Sequence, residues 1–241
     1  MLRLYYTDAA ALAACYDAAL ALLPPARRER TARCRFPAAR YRMAAAGLLL
    51  RAVLGVMSDE QLVYDACGKP SLAAGGAAFS LSHGGDLAVL AVGDAALGVD
   101  AEPRGRSMQG YYLAGVLTPE ELAAHARGAQ PFAWFWTRKE AVMKATGLGL
   151  RLSPARIDTL PDCLTAQGLR LHLQTRELAG HVVSLAAQTD EAAEAVYLPL
   201  ETLLTQTAEQ PLFSRKDGAP CLTESRERGM LEAENPPKAI G

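Results

Sequence analysis

Two short segments of the chain place charged residues at the edges of apolar runs. The first, GVDAE, ends an apolar run that predicts a β-strand, and its Asp100 and Glu102 are two residues apart. Side chains with that spacing point to the same side of a strand. The second, WTRKEAVMK, predicts a helix on which Glu140 and Lys144, four residues apart, share a face. A fold in which the strand end meets the helix brings these four side chains together.

A cluster with three carboxylates needs a positive charge to offset their repulsion. Asp100, Glu102 and Glu140 would repel one another, and a hard divalent cation such as Mg²⁺ relieves the repulsion while leaving room for phosphate oxygens. Lys144 adds a positive charge on the same side. The pattern therefore predicts a site for Mg²⁺ and a phosphate-bearing ligand.

The overall composition of the 241 residues excludes several functional classes. Half of the residues are apolar, 21% are charged and the net charge is -1, so no strong field favours nucleic acid or a membrane as the partner. Five scattered cysteines without a C-x-x-C pair favour a reducing compartment. Neither a signal-peptide pattern nor an apolar run long enough to span a membrane is present. We therefore expect a cytoplasmic protein.

The order of predicted elements indicates an α+β fold with two similar halves. Apolar runs predict strands at 2–6, 78–82, 87–92, 97–101, 169–174 and 181–187. Periodicity and capping residues predict helices at 8–23, after Pro24-Pro25, after Pro37, from Thr118 and at 131–146. Gly93-Asp94 predicts a hairpin between the strands at 87–92 and 97–101. We expect subdomains at 1–103 and 104–205, and a poorly ordered polar tail at 206–241.

The segment FSLSHG has two interpretations. A serine hydrolase would need glycine in place of Ser80 to form a nucleophile elbow, so Ser82 is not predicted to be a nucleophile. Ser82 and His83 can instead donate hydrogen bonds to phosphate oxygens, although His83 can also be merely structural.

The basic residues of the first half leave similar alternatives. The Gly68-Lys69-Pro70 turn lacks the pattern of a P-loop, so Lys69 is either a phosphate or carboxylate ligand or part of a simple surface turn. The arginines between Arg27 and Arg51 are either a solvated helix face or anchors for a phosphate-rich ligand.

Taken in order, the segments GKP, FSLSH, GVDAE and WTRKEAVMK resemble those of the 4′-phosphopantetheinyl transferase superfamily. Their spacing is similar to that of its Sfp-type branch, which activates polyketide and nonribosomal peptide synthases. The resemblance covers residues 1 to about 200. It implies a monomer with two pseudo-symmetric α+β halves related by a pseudo-two-fold axis, with coenzyme A bound between them.

The activity implied by the resemblance is the transfer of the 4′-phosphopantetheine arm of coenzyme A to a serine of an apo acyl or peptidyl carrier protein. Adenosine 3′,5′-bisphosphate is released, and a divalent cation is required, which is Mg²⁺ with Mn²⁺ as the alternative. Two alternatives stay open on the residues alone. One is a Mg²⁺-dependent phosphohydrolase acting on coenzyme A or a nucleotide, and the other is a non-catalytic module that binds coenzyme A or a carrier protein.

The resemblance also implies roles for individual residues. Asp100, Glu102 and Glu140 match the metal ligands, Glu140 is also the candidate general base, and Lys144 stabilises the leaving pyrophosphate. Glu121 resembles an acidic residue near the metal, and Ser80 replaces an asparagine common in the family. The residues implied to contact coenzyme A are Lys69, Ser82, His83, Arg42, Arg30, Arg33 and Lys144.

Overall fold

Two four-stranded sheets pack face to face, and a long helix covers the outer face of each. The computed structural model describes residues 1–206 and 210–213. The strands are β1 (Arg3–Asp8), β2 (Leu62–Tyr64), β3 (Pro70–Leu72), β4 (Ala78–Gly84), β5 (Leu87–Gly93), β6 (Leu97–Pro103), β7 (Cys163–Ala166), β8 (Leu169–Leu178), β9 (His181–Ala187) and β10 (Glu194–Tyr197). The α-helices are α1 (Tyr16–Ala21), α2 (Pro25–Arg33), α3 (Pro37–Leu54), α4 (Gly110–Leu113), α5 (Pro119–Ala126), α6 (Phe132–Thr146) and α7 (Leu200–Thr205).

The first sheet has the strand order β10-β1-β5-β4 and the second has the order β6-β9-β8-β7. Within them β1 and β10 are parallel, and every other neighbouring pair is antiparallel. Strands β2 and β3 form a separate small ribbon. Helices and largely antiparallel sheets combined in this way confirm the predicted α+β class.

Strand β5 shows how the layers are held together. Every residue of this strand is buried. Ala88 and Leu90 belong to the apolar cluster around α3, whereas Leu87 and Val89 belong to the cluster between the two sheets. Side chains alternate along a strand, so a strand covered on both faces must be apolar throughout. Each fully buried leucine or valine contributes about 1.5–3 kcal/mol relative to an exposed one.

The two long helices have the predicted boundaries within a residue or two. Pro37 occupies the first helical position of α3, and Gly55, with φ 68°, ends the helix in the left-handed conformation that glycine adopts without strain. Gly147 ends α6 in the same way, with φ 73°. In the part of the chain that the structure describes, none of the helices is both long and apolar enough to cross a membrane.

The predicted hairpin between β5 and β6 is wrong. Strand β6 pairs with β9, from Leu97 opposite Ala187 to Pro103 opposite His181. Leu97 and Val99 of β6 instead pack face to face against the first sheet, in the cluster that includes Val89. If β6 paired with β5 in one sheet, Leu97 and Val99 would lose their contact with the apolar face of the first sheet. Gly93-Asp94 therefore marks the place where the chain changes from one sheet to the other.

Neither of the two sheets is built from one continuous part of the chain. Strand β6, from the first half of the sequence, lies in the second sheet. Strand β10, near the end of the described chain, pairs with β1 in the first sheet, and α7 packs on α3. Each sheet is therefore completed by a segment from the other part of the chain.

Two other segments differ from the expectation. The region predicted as one helix at 8–23 forms a 3₁₀ turn (Ala10–Ala14) and then α1, because Cys15 between them has φ -143°, outside the helical region. In the predicted tail, Leu212 and Phe213 donate backbone hydrogen bonds to the carbonyls of Ala52 and Val53, at 3.0 Å each. These carbonyls lie in the last turn of α3, where no intrahelical donor remains. Residues 207–209 and 214–241 of the predicted tail lie outside the described residues.

Candidate active site

The start of β6 lies directly against α6 because Gly98 has no side chain. A Cβ at this position would be 2.1 Å from the carbonyl oxygen of Ala141 and 2.4 Å from the amide nitrogen of Ala145, which are backbone atoms of α6. The alternation along β6 then turns Asp100 and Glu102 toward the helix face that carries Glu140 and Lys144. The contact between strand and helix that the sequence requires is therefore present.

At the centre of the site, three side chains from three elements form a closed set of hydrogen bonds. Lys144 Nζ of α6 lies 2.7 Å from Asp100 Oδ1 of β6 and 2.9 Å from Ser82 Oγ of β4. The Ser82 hydroxyl donates to the same carboxylate oxygen at 2.6 Å. The side chains of Asp100 and Lys144 are 7% and 28% exposed, so water screens this ion pair less than it screens a pair on the open surface. The set joins β4 of the first sheet to β6 of the second sheet and to α6.

The other oxygen of Asp100 has a different environment. Oδ2 is buried and, in the described residues, accepts no hydrogen bond. A buried carboxylate oxygen without a partner is costly, and native structures usually satisfy such atoms with a protein group, a water molecule or an ion. Asp100 can therefore accept one further ligand on the side of the site that Lys144 does not occupy.

Glu102 and Glu140 are partly buried beside Asp100. Burial raises the pKa of the Glu140 carboxyl, and the charges of Asp100 and Glu102 raise it further, against the opposing effect of Lys144. Burial also raises the pKa of Glu102, although this carboxylate forms an ion pair with Arg106. The three carboxylates thus repel one another, as the sequence predicts.

Among the residues that the structure describes, no three carboxylate, histidine or cysteine side chains already have the geometry of a metal site. The donors nevertheless fit a hard cation. They are all oxygens, their charges repel, and the buried Asp100 Oδ2 has no partner. A divalent cation would supply that partner and offset the repulsion.

A cleft of about 600 Å³ opens above this cluster. Its walls come from α2, α3, the β2-β3 ribbon, β4, β6 and α6, so both sheets contribute. The charged or ionisable residues that line it are Arg27, Arg30, Tyr64, His83, Asp100 and Lys144. A second cavity of about 250 Å³ adjoins it at Gly68, Pro70, Leu81 and Lys144, and is lined by the apolar side chains of Phe79 and Met143. The larger cleft is bordered by Arg27 and Arg30, and the smaller cavity is mainly apolar, with Lys69 and Lys144 in its lining.

The three arginines that the resemblance implies to contact coenzyme A have different environments in the structure. Arg30 lines the cleft. Arg33 is exposed and pairs with Glu29 at 2.5 Å along α2, and it is not among the lining residues. Arg42 donates a 2.9 Å hydrogen bond to the carbonyl of Gly85 and so supports the turn after His83. Arg42 therefore acts on the cleft through that turn.

Arg27 also lines the cleft, although the resemblance implies no role for it and the sequence placed it only among the arginines that could anchor a phosphate-rich ligand. Burial lowers the pKa of its guanidinium, and the neighbouring Arg30 lowers it further. Arg27 is partly buried and Arg30 is exposed, and two neighbouring cations favour an anion between or beside them. The signal available in the sequence was the spacing, since Arg27 and Arg30 are three residues apart on one helix face.

Lys69 has a different environment from the expected exposed turn. Its Nζ donates to the carbonyls of Leu97 and Ala145, at 3.2 and 3.3 Å, and burial lowers its pKa. The Asp65 carboxylate holds the turn by accepting the backbone N–H groups of Cys67 and Lys69. Lys69 thus links the turn to β6 and α6 while it lines the smaller cavity.

His83 is an exposed side chain on the wall of the cleft. Partial desolvation lowers the pKa of its imidazole, and the nearby charges of Arg42 and Lys144 lower it further. Before it on β4, Ser80 accepts a hydrogen bond from the backbone N–H of Val99 at 3.1 Å, so the serine at this position links the two sheets.

Glu121 does not lie at the carboxylate cluster. It is fully buried, pairs with Lys139 at 2.6 Å, and accepts hydrogen bonds from Thr159 and from the backbone of Thr118. Lys139 is also fully buried, and adjacent Arg138 donates to the carbonyls of Thr159 and Pro161. The position implied for Glu121 near the metal is therefore wrong. Arg138 and Lys139 instead anchor the side of α6 that faces away from the cleft.

Comparison with known proteins adds one finding. Residues 96–196 match the family model of the 4′-phosphopantetheinyl transferase superfamily. This span runs from the start of β6 into β10 and contains the three carboxylates and Lys144. The cleft residues of α2 and β4 precede it. No curated protein matches the chain closely enough to count as a relative. The match agrees with the resemblance at the level of the superfamily.

Proposed function

We propose that this protein transfers the 4′-phosphopantetheine arm of coenzyme A to a serine of an apo acyl or peptidyl carrier protein, with Mg²⁺, as an enzyme of the Sfp-type branch. The observation that carries the proposal is the closed contact among Ser82, Asp100 and Lys144 at the base of a cation-lined cleft. The superfamily match over residues 96–196 supports the same reaction class.

The distribution of charge supports a ligand with several phosphates. Arg27, Arg30 and Lys144 supply three cations to the lining of the cleft, and His83 adds an imidazole, so one ligand can meet several of these groups. The adjoining apolar cavity suits a part of the ligand without charge. Coenzyme A, with a 3′-phosphate, a pyrophosphate and a purine, has this composition.

Asp100, Glu102 and Glu140 would hold the metal ion. When bound, Mg²⁺ would neutralise charge on the pyrophosphate oxygens and lower the cost of bringing an acceptor oxygen to the phosphorus. Partly buried carboxylates with raised pKa values bind protons more readily without a cation, so metal binding and proton release should be coupled.

In the reaction, the acceptor serine oxygen forms a bond to the β-phosphorus of coenzyme A, and the bond from that phosphorus to the bridging oxygen breaks. The electron pair of the broken bond leaves with adenosine 3′,5′-bisphosphate. Glu140 would take the serine proton as the general base. Lys144, as an ammonium, can donate a hydrogen bond to the departing phosphate.

The decisive experiment is incubation of the protein with coenzyme A, Mg²⁺ and several apo carrier proteins, followed by mass spectrometry of each carrier. We expect a phosphopantetheine adduct on the acceptor serine and release of adenosine 3′,5′-bisphosphate. Cleavage of coenzyme A without an acceptor would favour the phosphohydrolase instead, and binding without either product would favour the non-catalytic module.

A matched pair of variants tests the assigned base. Glu140→Gln should abolish transfer because the amide cannot take the serine proton, whereas Glu120→Gln, an equivalent change on the exposed first turn of α5, should leave the rate unchanged. Similar transfer rates for the two variants would remove Glu140 from its proposed role.

A further inference from the structure

The turn between β4 and β5 is held by contacts from both sheets. Arg42 donates to the Gly85 carbonyl at 2.9 Å, and the backbone N–H of Ala9 donates to the Asp86 carbonyl at 2.7 Å. On the other side, a Cβ at Gly84 would lie 2.2 Å from the carbonyl oxygen of Ala101. The turn is therefore wedged against β6 close to Glu102.

The contact from the second sheet that closes this arrangement is a histidine. His181 begins β9 and is 9% exposed. Its Nε2 lies 3.3 Å from the backbone nitrogen of Asp86, and a Cβ at Gly85 would lie 2.4 Å from the same ring nitrogen. The imidazole thus packs over the turn, with the polar edge of the ring toward the Asp86 amide.

The partners of the ring determine which nitrogen carries the proton. Nδ1 lies 2.8 Å from the Ala179 carbonyl, which can only accept, so Nδ1 must be protonated. The Asp86 amide can only donate, so Nε2 must have a free lone pair. The geometry requires a neutral imidazole in the Nδ1–H form.

We propose that His181 is a positioning residue. Its Nε2 accepts a hydrogen bond from the backbone N–H of Asp86, which fixes the β4–β5 turn and so holds His83 in place for a ligand phosphate. This inference rests on the proposed function for the identity of the ligand. His83 immediately precedes the turn and lines the cleft, whereas His181 is not among the residues that line it. His181 therefore acts through His83.

The first test needs no coenzyme. The chain has four histidines, so single substitutions assign the imidazole signals in a long-range ¹H–¹⁵N correlation spectrum of the full-length protein. We expect His181 at neutral pH to carry its proton on Nδ1 alone. His181→Leu should shift the His83 signals. The matched control His172→Leu, in the separate cavity beside Trp134, should leave them unchanged. A proton on Nε2 of His181 in the unsubstituted protein would overturn the proposal without any variant.

The second test measures binding of adenosine 3′,5′-bisphosphate by calorimetry. His181→Leu should weaken binding by about three- to tenfold, the effect of losing one hydrogen bond that orders a contact residue. His181→Gln should restore most of the affinity, because its amide oxygen can accept in place of Nε2. In a His83→Ala background, His181→Leu should add nothing further.

The same loss in both backgrounds, or unchanged His83 signals in His181→Leu, would show that His181 does not act through His83. Absence of bisphosphate binding by the unsubstituted protein would count against the proposed function instead, while the His83 signals would still decide the role of His181.

Discussion

Asp100 is the residue on which the site depends most. Its Oδ1 accepts from Ser82 and Lys144, and its Oδ2 is buried without a partner in the described residues. A buried carboxylate in this state is stabilised on one side and needs a ligand on the other. The residue thereby connects the three elements that meet at the base of the cleft to any cation that binds there.

Substitution of Lys144 should show how much its ammonium group contributes to turnover. Lys144→Ala should lower kcat by about 10²–10³-fold, the usual effect of removing one donor that stabilises developing charge. Arg127→Ala, which removes one positive charge from the exposed end of α5, is the control for net charge and should keep the normal rate. Steady-state transfer assays at saturating coenzyme A measure both. Near-normal kcat in Lys144→Ala would exclude the lysine from the chemical step.

At the scale of elements, the contact between β6 and α6 was readable in the sequence and the pairing of β6 was not. The period of two in GVDAE and the period of four in the helix define which side chains share a face, and these local rules hold in the structure. Pairing partners depend on which apolar faces cover each other. Nothing local to Gly93-Asp94 distinguishes a hairpin from a change of sheet.

The difference between local patterns and long-range contacts also explains the individual residues that differed from expectation. Lys69 stands in a turn that resembles an exposed loop, yet Leu97 and Ala145, distant in sequence, supply the carbonyls to which it donates. The position of Glu121 is set by Lys139, which lies in the next helix. Long-range partners of this kind leave no periodic signal in a single sequence.

The close approach of β6 and α6 predicts a strong effect at Gly98. Gly98→Ala should displace α6, since a Cβ there would lie 2.1 Å from a backbone oxygen. We expect a loss of about 1–3 kcal/mol in the free energy of unfolding, as for other overpacked sites, together with loss of transfer. Gly105→Ala is the matched control, because no atom lies within 4 Å of its Cβ position. Urea denaturation and the transfer assay measure the two effects, and equal stability of the two variants would contradict the close contact.

At the scale of the whole molecule, the first sheet and α3 depend on a segment that contains no site residue. Strand β10 extends the sheet beside β1, and Leu203 of α7 is fully buried in the cluster around α3. The cleft is built partly on α2 and α3, so its shape depends on this distant support.

Leu203→Ala tests that dependence. Truncating a fully buried leucine should lower the free energy of unfolding by about 2–5 kcal/mol. Leu150→Ala, at a side chain that is 77% exposed, should be close to neutral. Thermal or urea unfolding provides the comparison. A Leu203→Ala variant as stable as the Leu150→Ala variant would mean that α7 does not support the first half.

The return of β10 to β1 also has a consequence for how the protein is made. During synthesis β1 emerges long before its parallel neighbour, which is among the last described segments to leave the ribosome. Until then, one edge of β1 has no neighbouring strand, and such an edge is prone to pair with other chains. Pairing between distant segments also slows folding. Yield in a cell should therefore depend more on the rate of translation and on chaperones than the final stability alone would indicate.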